Sequence, residues 1–149
     1  MRPEWHSRAK CNRPGVDPRE YDVDSSVRGN AYAHQIVHAV ELCEGCPVMR
    51  ECAQWALDEH PVGVICGGVV LPGACWWGVG AGVSTRLAVE RVAAGESVHH
   101  AVVYELCGAT SMTPAAQVLM SRARAIESGA TPPPTSPRVL RGWGRSEEH

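Results

Sequence analysis

The paired cysteines of Cys43-Glu44-Gly45-Cys46-Pro47 constrain this chain more than any other feature. Two intervening residues let both sulfurs point at one centre, and Gly45 permits the tight turn this needs. Pro47 suits the first position of a helix. The pair is therefore expected at a helix entrance, where free N–H groups favour negative charge, thiolate included. Cys52 follows Cys46 by six residues, a step that in one unbroken helix would set them about 120° apart. Cys46 is thus expected at or before the helix start, with Cys52 reaching back from the next turns. Cys11, far upstream, fits as a fourth thiol offered by a loop.

Four thiolates in the order C-x31-C-x2-C-x5-C suit a [4Fe–4S] cluster and equally a structural Zn2+. The order matches neither common ferredoxin spacing and lacks the second C-x2-C of a zinc ribbon, so spacing does not choose between them. A thiol–disulfide pair at Cys43 and Cys46 is a third reading, and buried unligated thiols are the plainest one. The polar residues 1–10 hold no apolar run of a secretory signal. No segment approaches the ~20 apolar residues of a membrane span. A cytoplasmic address without membrane contact is expected, and seven cysteines there point to ligands or thiols rather than to a disulfide framework.

The chain divides by composition into three zones. Residues 1–83 hold six of the seven cysteines, residues 84–129 read as helical, and residues 130–149 form a Pro- and Arg-containing flexible tail opened by Pro132, Pro133 and Pro134. Asn30 is placed to cap a helix running to about Leu42, with Tyr32, Ile36, Val37 and Val40 at helical spacing. A second helix is expected from Pro47 to about Glu59, with Met49, Cys52, Ala53 and Ala56 on one face. The apolar, glycine-rich stretch 64–83 reads as turns and short buried elements. Ser84, Ser97 and Thr113-Pro114 mark three further helix starts, and Gly95 and Gly129 mark stops. A mostly α protein is expected: a small cluster- or metal-binding domain with a helical C-terminal extension.

Two strings carry a resemblance. Trp5-x3-Ala9-x-Cys11 is similar to the opening W-x3-A-x-C of the WhiB-like family. Cys43-x2-Cys46-Pro47-Val48-x2-Glu51-Cys52, followed by Trp55-Ala56-Leu57, resembles its C-x2-C-P-V-R-x-E-C core. Residues 63–68 stand where that family carries a G-[VI]-W-G-G turn, and Asp17-Pro18 and Tyr21 resemble its acidic, aromatic stretch. The likeness covers roughly residues 4–69. It implies an actinobacterial or actinophage transcription regulator with a [4Fe–4S] cluster on Cys11, Cys43, Cys46 and Cys52 that responds to oxygen or nitric oxide. It also implies contact with region 4 of an RNA polymerase sigma factor, with Trp5, Tyr21, Gly67 and Gly68 near the cluster or at that interface. Zn2+ stays the alternative metal. The sequence departs from the pattern at Cys66, where the family has its turn Trp, at Val64 in place of Gly, and at Met49 where Arg is frequent. Trp76 and Trp77 follow the turn and read mainly as core. Cys66, Cys75 and Cys107 are expected to be buried thiols rather than ligands.

The three C-terminal helices are spaced like a helix-turn-helix unit, with Gly108 as the turn glycine. Gln117, Ser121, Arg122 and Arg124 would then face DNA. Pro114 falls where that motif needs an interior apolar residue, so a plain helical bundle is the competing reading. Arg141-Gly142-Trp143-Gly144-Arg145 is a further candidate for phosphate or minor-groove contact. The net charge of −2 does not by itself advertise nucleic-acid binding. His34 and His38 have i, i+4 spacing but no acidic H-E-x-x-H pattern, and the adjacent His99 and His100 cannot share a helix face. No Gly-rich phosphate loop, Ser–His–Asp arrangement or paired-carboxylate site is evident. Neither enzyme activity nor a small-molecule substrate is therefore expected. A reductase using Cys43 and Cys46 would lack its usual βαβ setting.

Overall fold

The computed structural model describes residues 4–23, 29–73, 75–77, 83–107 and 113–132. Most of these residues are helical. Three short 3₁₀ turns come first, at Glu4–Arg8, Lys10–Asn12 and Pro18–Tyr21. Asp17 caps the last of them by accepting the Arg19 N–H at 3.0 Å, with Pro18 at the first position.

Helix α1 spans Gly29–Cys43 and buries Ile36, Val37, Ala39 and Val40. Its backbone turns helical at Gly29, so Asn30 lies inside the helix rather than at its cap. Helix α2 spans Met49–Glu59 and buries Ala53 and Ala56. It starts later than Pro47 predicts. Its first i→i−4 bond runs from the Cys52 N–H to the Val48 carbonyl at 2.8 Å, which leaves Pro47 in the preceding turn. His60 ends α2 in the left-handed conformation, φ +55°, donating its N–H to the Ala56 carbonyl. Pro61 follows with no N–H to extend the ladder.

The glycine-rich stretch forms a hairpin of β1 (Val64–Cys66) and β2 (Val69–Leu71), in which Ile65 faces Val70 and Cys66 faces Val69. Gly67 and Gly68, at φ +60° and +81°, make the two-residue turn. Such turns require positive φ at both central residues. Val23 donates its N–H to the Gly63 carbonyl, and Asp22 bridges Val64, so the N-terminal segment runs along the hairpin edge.

Helices α3 (Val83–Ala93), α4 (Val98–Leu106) and α5 (Pro114–Glu127) follow. Ser84 lies within α3, one residue past the start. Ser97 does border α4, but its hydroxyl sits 3.5 Å from His99 Nδ1 instead of capping the helix. Thr113 caps α5 as expected, accepting the Ala116 N–H at 3.2 Å, and Gly129 follows the helix at φ +89°. The turn expected at Gly108 lies outside the described residues.

One apolar core runs across residue 83. Val37 and Val40 of α1, Val69 and Leu71 of β2, Val89 and Val92 of α3, Val102 of α4 and Leu119 of α5 all belong to it. Trp76 is fully buried in the same core and donates its indole N–H to the Pro61 carbonyl at 2.8 Å. Trp77 packs edge-on to it and stacks on His60 with ring centroids 4.6 Å apart. Among the described residues, no helix is long and apolar enough to cross a membrane.

Candidate metal centre

Cys11, Cys43, Cys46 and Cys52 all line one cavity of about 490 Å³. They come from four pieces of local structure. Cys11 stands on the short 3₁₀ turn, Cys43 is the last residue of α1, Cys46 follows the turn at Gly45, and Cys52 sits at the fourth position of α2. Gly45 takes φ +77°, as the turn between the two cysteines requires. The wall is completed by Trp5, Tyr21, Met49, Trp55 and the hairpin residues Val64 to Gly67. Among the described residues, no three His, Cys, Asp or Glu side chains converge tightly enough to hold a single ion.

Backbone N–H groups serve the sulfurs of Cys43, Cys46 and Cys52. Lys10 donates its N–H to Cys46 Sγ at 3.4 Å. Gly68 and Gly67 donate theirs to Cys43 and Cys52. Such donors stabilise thiolate charge and are the usual outer partners of metal-bound sulfur. Burial pushes the Cys43 thiol up to about 12, and the neighbouring cysteines add to the rise. A bound metal centre reverses that balance, because its positive charge deprotonates coordinating thiols. Four thiols backed by N–H groups form a donor set that fits an iron–sulfur cluster or another thiophilic metal group.

Cys66 is a fifth thiol on the same wall. It is buried, as expected, and hydrogen-bonds Cys52 as donor. That contact lowers the Cys52 thiol and raises the Cys66 thiol. Cys107 is half-buried, and burial lifts it to about 11. Cys75 corrects the expectation of a buried thiol, since it is exposed.

Trp5 and Tyr21 are half-buried on the cavity wall, and the Tyr21 hydroxyl donates to the Leu42 carbonyl at 3.2 Å. Gly67 and Gly68 do not lie on an outer face. Both are buried, Gly67 against Ala53 and Gly68 against Cys43 and Val98. Their contribution is the turn and its N–H groups. On α5, Gln117, Ser121 and Arg124 form one exposed stripe at i, i+4 and i+7. Arg122 corrects the reading that grouped it with them. It is 8% exposed and turns inward onto Glu44. Arg141 and Arg145 lie outside the described residues.

Residues not singled out in the sequence complete the surroundings. Lys10 Nζ donates to the Glu44 and Glu41 carbonyls at 2.8 and 3.3 Å, closing the C-terminal end of α1 and tying the Cys11 segment to the paired cysteines. Glu44, between those cysteines, binds Arg122 and His99. Burial alone would raise its carboxyl, but these hydrogen bonds bring it down to about 2. Its position inside C-x2-C was the only signal in the sequence. His99 and Arg122 carried none, since their partner is 55 and 78 residues away.

Residues 5–70 match the family model for transcription factor WhiB. That region belongs to the WhiB family. Over 62 residues the chain is 34% identical to the redox-responsive transcriptional regulator WhiB3 of Mycolicibacterium smegmatis. The aligned stretch is 41% of this chain and 62% of that relative, so the chain spans about three-fifths of the relative's length. No solved structure matches the chain. All five cysteines of the cavity, with Trp5, Tyr21 and the hairpin turn, fall inside the WhiB region. Glu44 does too, whereas His99 and Arg122 lie beyond its end.

Proposed function

We propose that this chain is a WhiB-type transcription regulator holding a [4Fe–4S] cluster on Cys11, Cys43, Cys46 and Cys52. The observation that carries this reading is the gathering of four distant thiols around one cavity within the region that matches the family. When bound, the cluster supplies an electron-rich centre that reacts with oxygen or nitric oxide.

The protein's own parts then act as follows. The four cysteines tie the Lys10–Asn12 turn, the end of α1 and the start of α2 into one unit. Gly67, Gly68 and Lys10 hold sulfur charge through their N–H groups. Trp5 and Tyr21 cover the site and stand beside the surface on which region 4 of the sigma factor docks. Gln117, Ser121 and Arg124, exposed together on α5, are the described residues that meet DNA. Losing the metal loosens the three tied segments and alters the surface offered to these partners, as in other metal-held folds.

The test is on protein purified without oxygen, counting iron, sulfide and zinc per chain. About four iron and four sulfide per chain is the expected result. One zinc per chain would replace the redox centre by a structural ion, and neither metal after reconstitution would overturn the reading. Cys→Ser at Cys11, Cys43, Cys46 or Cys52 should each abolish iron retention, while Cys66→Ala and Cys75→Ser should keep it. DNA affinity should fall steeply with salt and weaken in Arg124→Ala. Salt-independent binding would remove α5 from the DNA contact.

A further inference from the structure

Glu44 is the residue on which the paired cysteines and the C-terminal helices meet. α1 ends at Cys43, and Glu44 opens the turn that carries Cys46. Arg122 of α5 grips its carboxylate with two parallel bonds, Nε to Oε2 at 2.8 Å and Nη2 to Oε1 at 2.6 Å. His99 of α4 places Nε2 2.6 Å from the same Oε2. Arg122 Nη1 also reaches Glu41, one turn back on α1, at 3.3 Å. The side chains of Glu44, Arg122 and His99 are only 11, 9 and 7% exposed. Lys10 Nζ also holds the Glu44 carbonyl.

A fork-to-fork pair of this kind fixes orientation as well as distance, because the planar guanidinium must lie in the plane of the carboxylate. Out of water it also cannot be traded for hydration without leaving a buried charge unpaired. The turn between Cys43 and Cys46 is only two residues long, so fixing Glu44 fixes the backbone on which both sulfurs depend.

We propose that Arg122 and His99 are positioning residues of the thiol centre. They hold Glu44 from behind and so set the Cys43–Cys46 turn. The C-terminal helices are then a supporting shell of the metal site, supplied by residues beyond the end of the WhiB match. The proposal rests on the reading of Cys43 and Cys46 as ligands. Outer partners of metal ligands carry effects of about ten- to a hundredfold on metal retention.

The test uses the full chain with Arg122→Ala, Arg122→Lys and Leu119→Ala. Leu119 is a fully buried core residue of the same helix, and its truncation loosens α5 without removing the Glu44 pair. Two rates are read well below each melting midpoint. One is iron release to a chelator after anaerobic reconstitution with ferrous iron and sulfide. The other is iodoacetamide labelling of each cysteine in metal-free protein, followed by mass spectrometry. Arg122→Ala should release iron about ten- to a hundredfold faster and speed labelling at Cys43 and Cys46 but not at Cys75. Arg122→Lys should fall between it and the parent, since an ammonium satisfies one oxygen but not the fork, and it carries the test should Arg122→Ala fail to fold. Leu119→Ala should leave both rates at parental values. Equal acceleration in Leu119→Ala and the Arg122 variants would overturn the proposal, as would unchanged rates in the Arg122 variants. Should the parent take up no iron, the cluster reading fails, and the labelling rates alone decide whether the clamp sets the turn.

Discussion

Gly68 and Gly45 both take positive φ, yet they are constrained differently. A Cβ on Gly68 would stand 2.6 Å from Val98 Cγ2, whereas one on Gly45 would meet nothing within 4 Å. Gly45→Ala should therefore cost only the backbone strain, about 1–2 kcal/mol. Gly68→Ala adds a core collision and should cost more, roughly 2–4 kcal/mol for strain and overpacking together. Urea unfolding of the metal-free chain checks this through the two midpoints, with slopes unchanged. An equal shift in both variants would mean that Val98 yields. Cys66 belongs to the same scale. Where the family has a turn Trp this chain has a thiol on the cavity wall, and its S–H reaches Cys52.

Among the elements, the helices differ in how they are started. Among the α-helices whose N-cap residue is described, α5 begins with a matched cap, Thr113 Oγ1 on the Ala116 N–H, followed by Pro114. Thr113→Ala should lower stability by about 1 kcal/mol, read as a shift of the thermal midpoint in circular dichroism. No shift would show that packing alone holds the first turn. The helix starts expected at Ser84 and Ser97 were near the real ones but had the wrong chemistry. Ser84 sits inside α3, and the Ser97 hydroxyl lies nearest the His99 ring. Local sequence marks where a helix is permitted to begin, while the tertiary partners decide which residue borders it. The exposed stripe of Gln117, Ser121 and Arg124 was legible from helical periodicity. The inward turn of Arg122 was not, because its carboxylate partners lie on α1 and in the turn after it.

For the whole molecule, the shared core is the governing fact. Val89, Val92, Val102 and Leu119 close over Val37, Val40 and Val69, so residues on both sides of position 83 depend on each other. A fragment ending at residue 73 would leave that apolar face open, at roughly 25 cal/mol for each Å² returned to water. It should show no cooperative thermal transition in the metal-free state, while the full chain should melt cooperatively. A cooperative melt of the fragment would show that the WhiB region is self-sufficient. Metal loading should raise the midpoint of the full chain, since a ligand held only by the native state stabilises it by mass action. An unchanged midpoint at saturating metal would place binding in the unfolded chain as well.

The sequence by itself singled out the four cysteines and determined the turn at Gly45, the cap at Thr113 and the mostly helical composition. Each depends on chemistry carried within a few residues, or on a motif whose spacing alone restricts its geometry. Only the tertiary structure decided that the cysteines from distant segments face one cavity and that Cys66 joins them there. It also decided that Gly67 and Gly68 turn inward and that Glu44 is held by Arg122 and His99. These depend on contacts between residues tens of positions apart. No local pattern records such contacts, and they form only when burial of the common core brings the helices together.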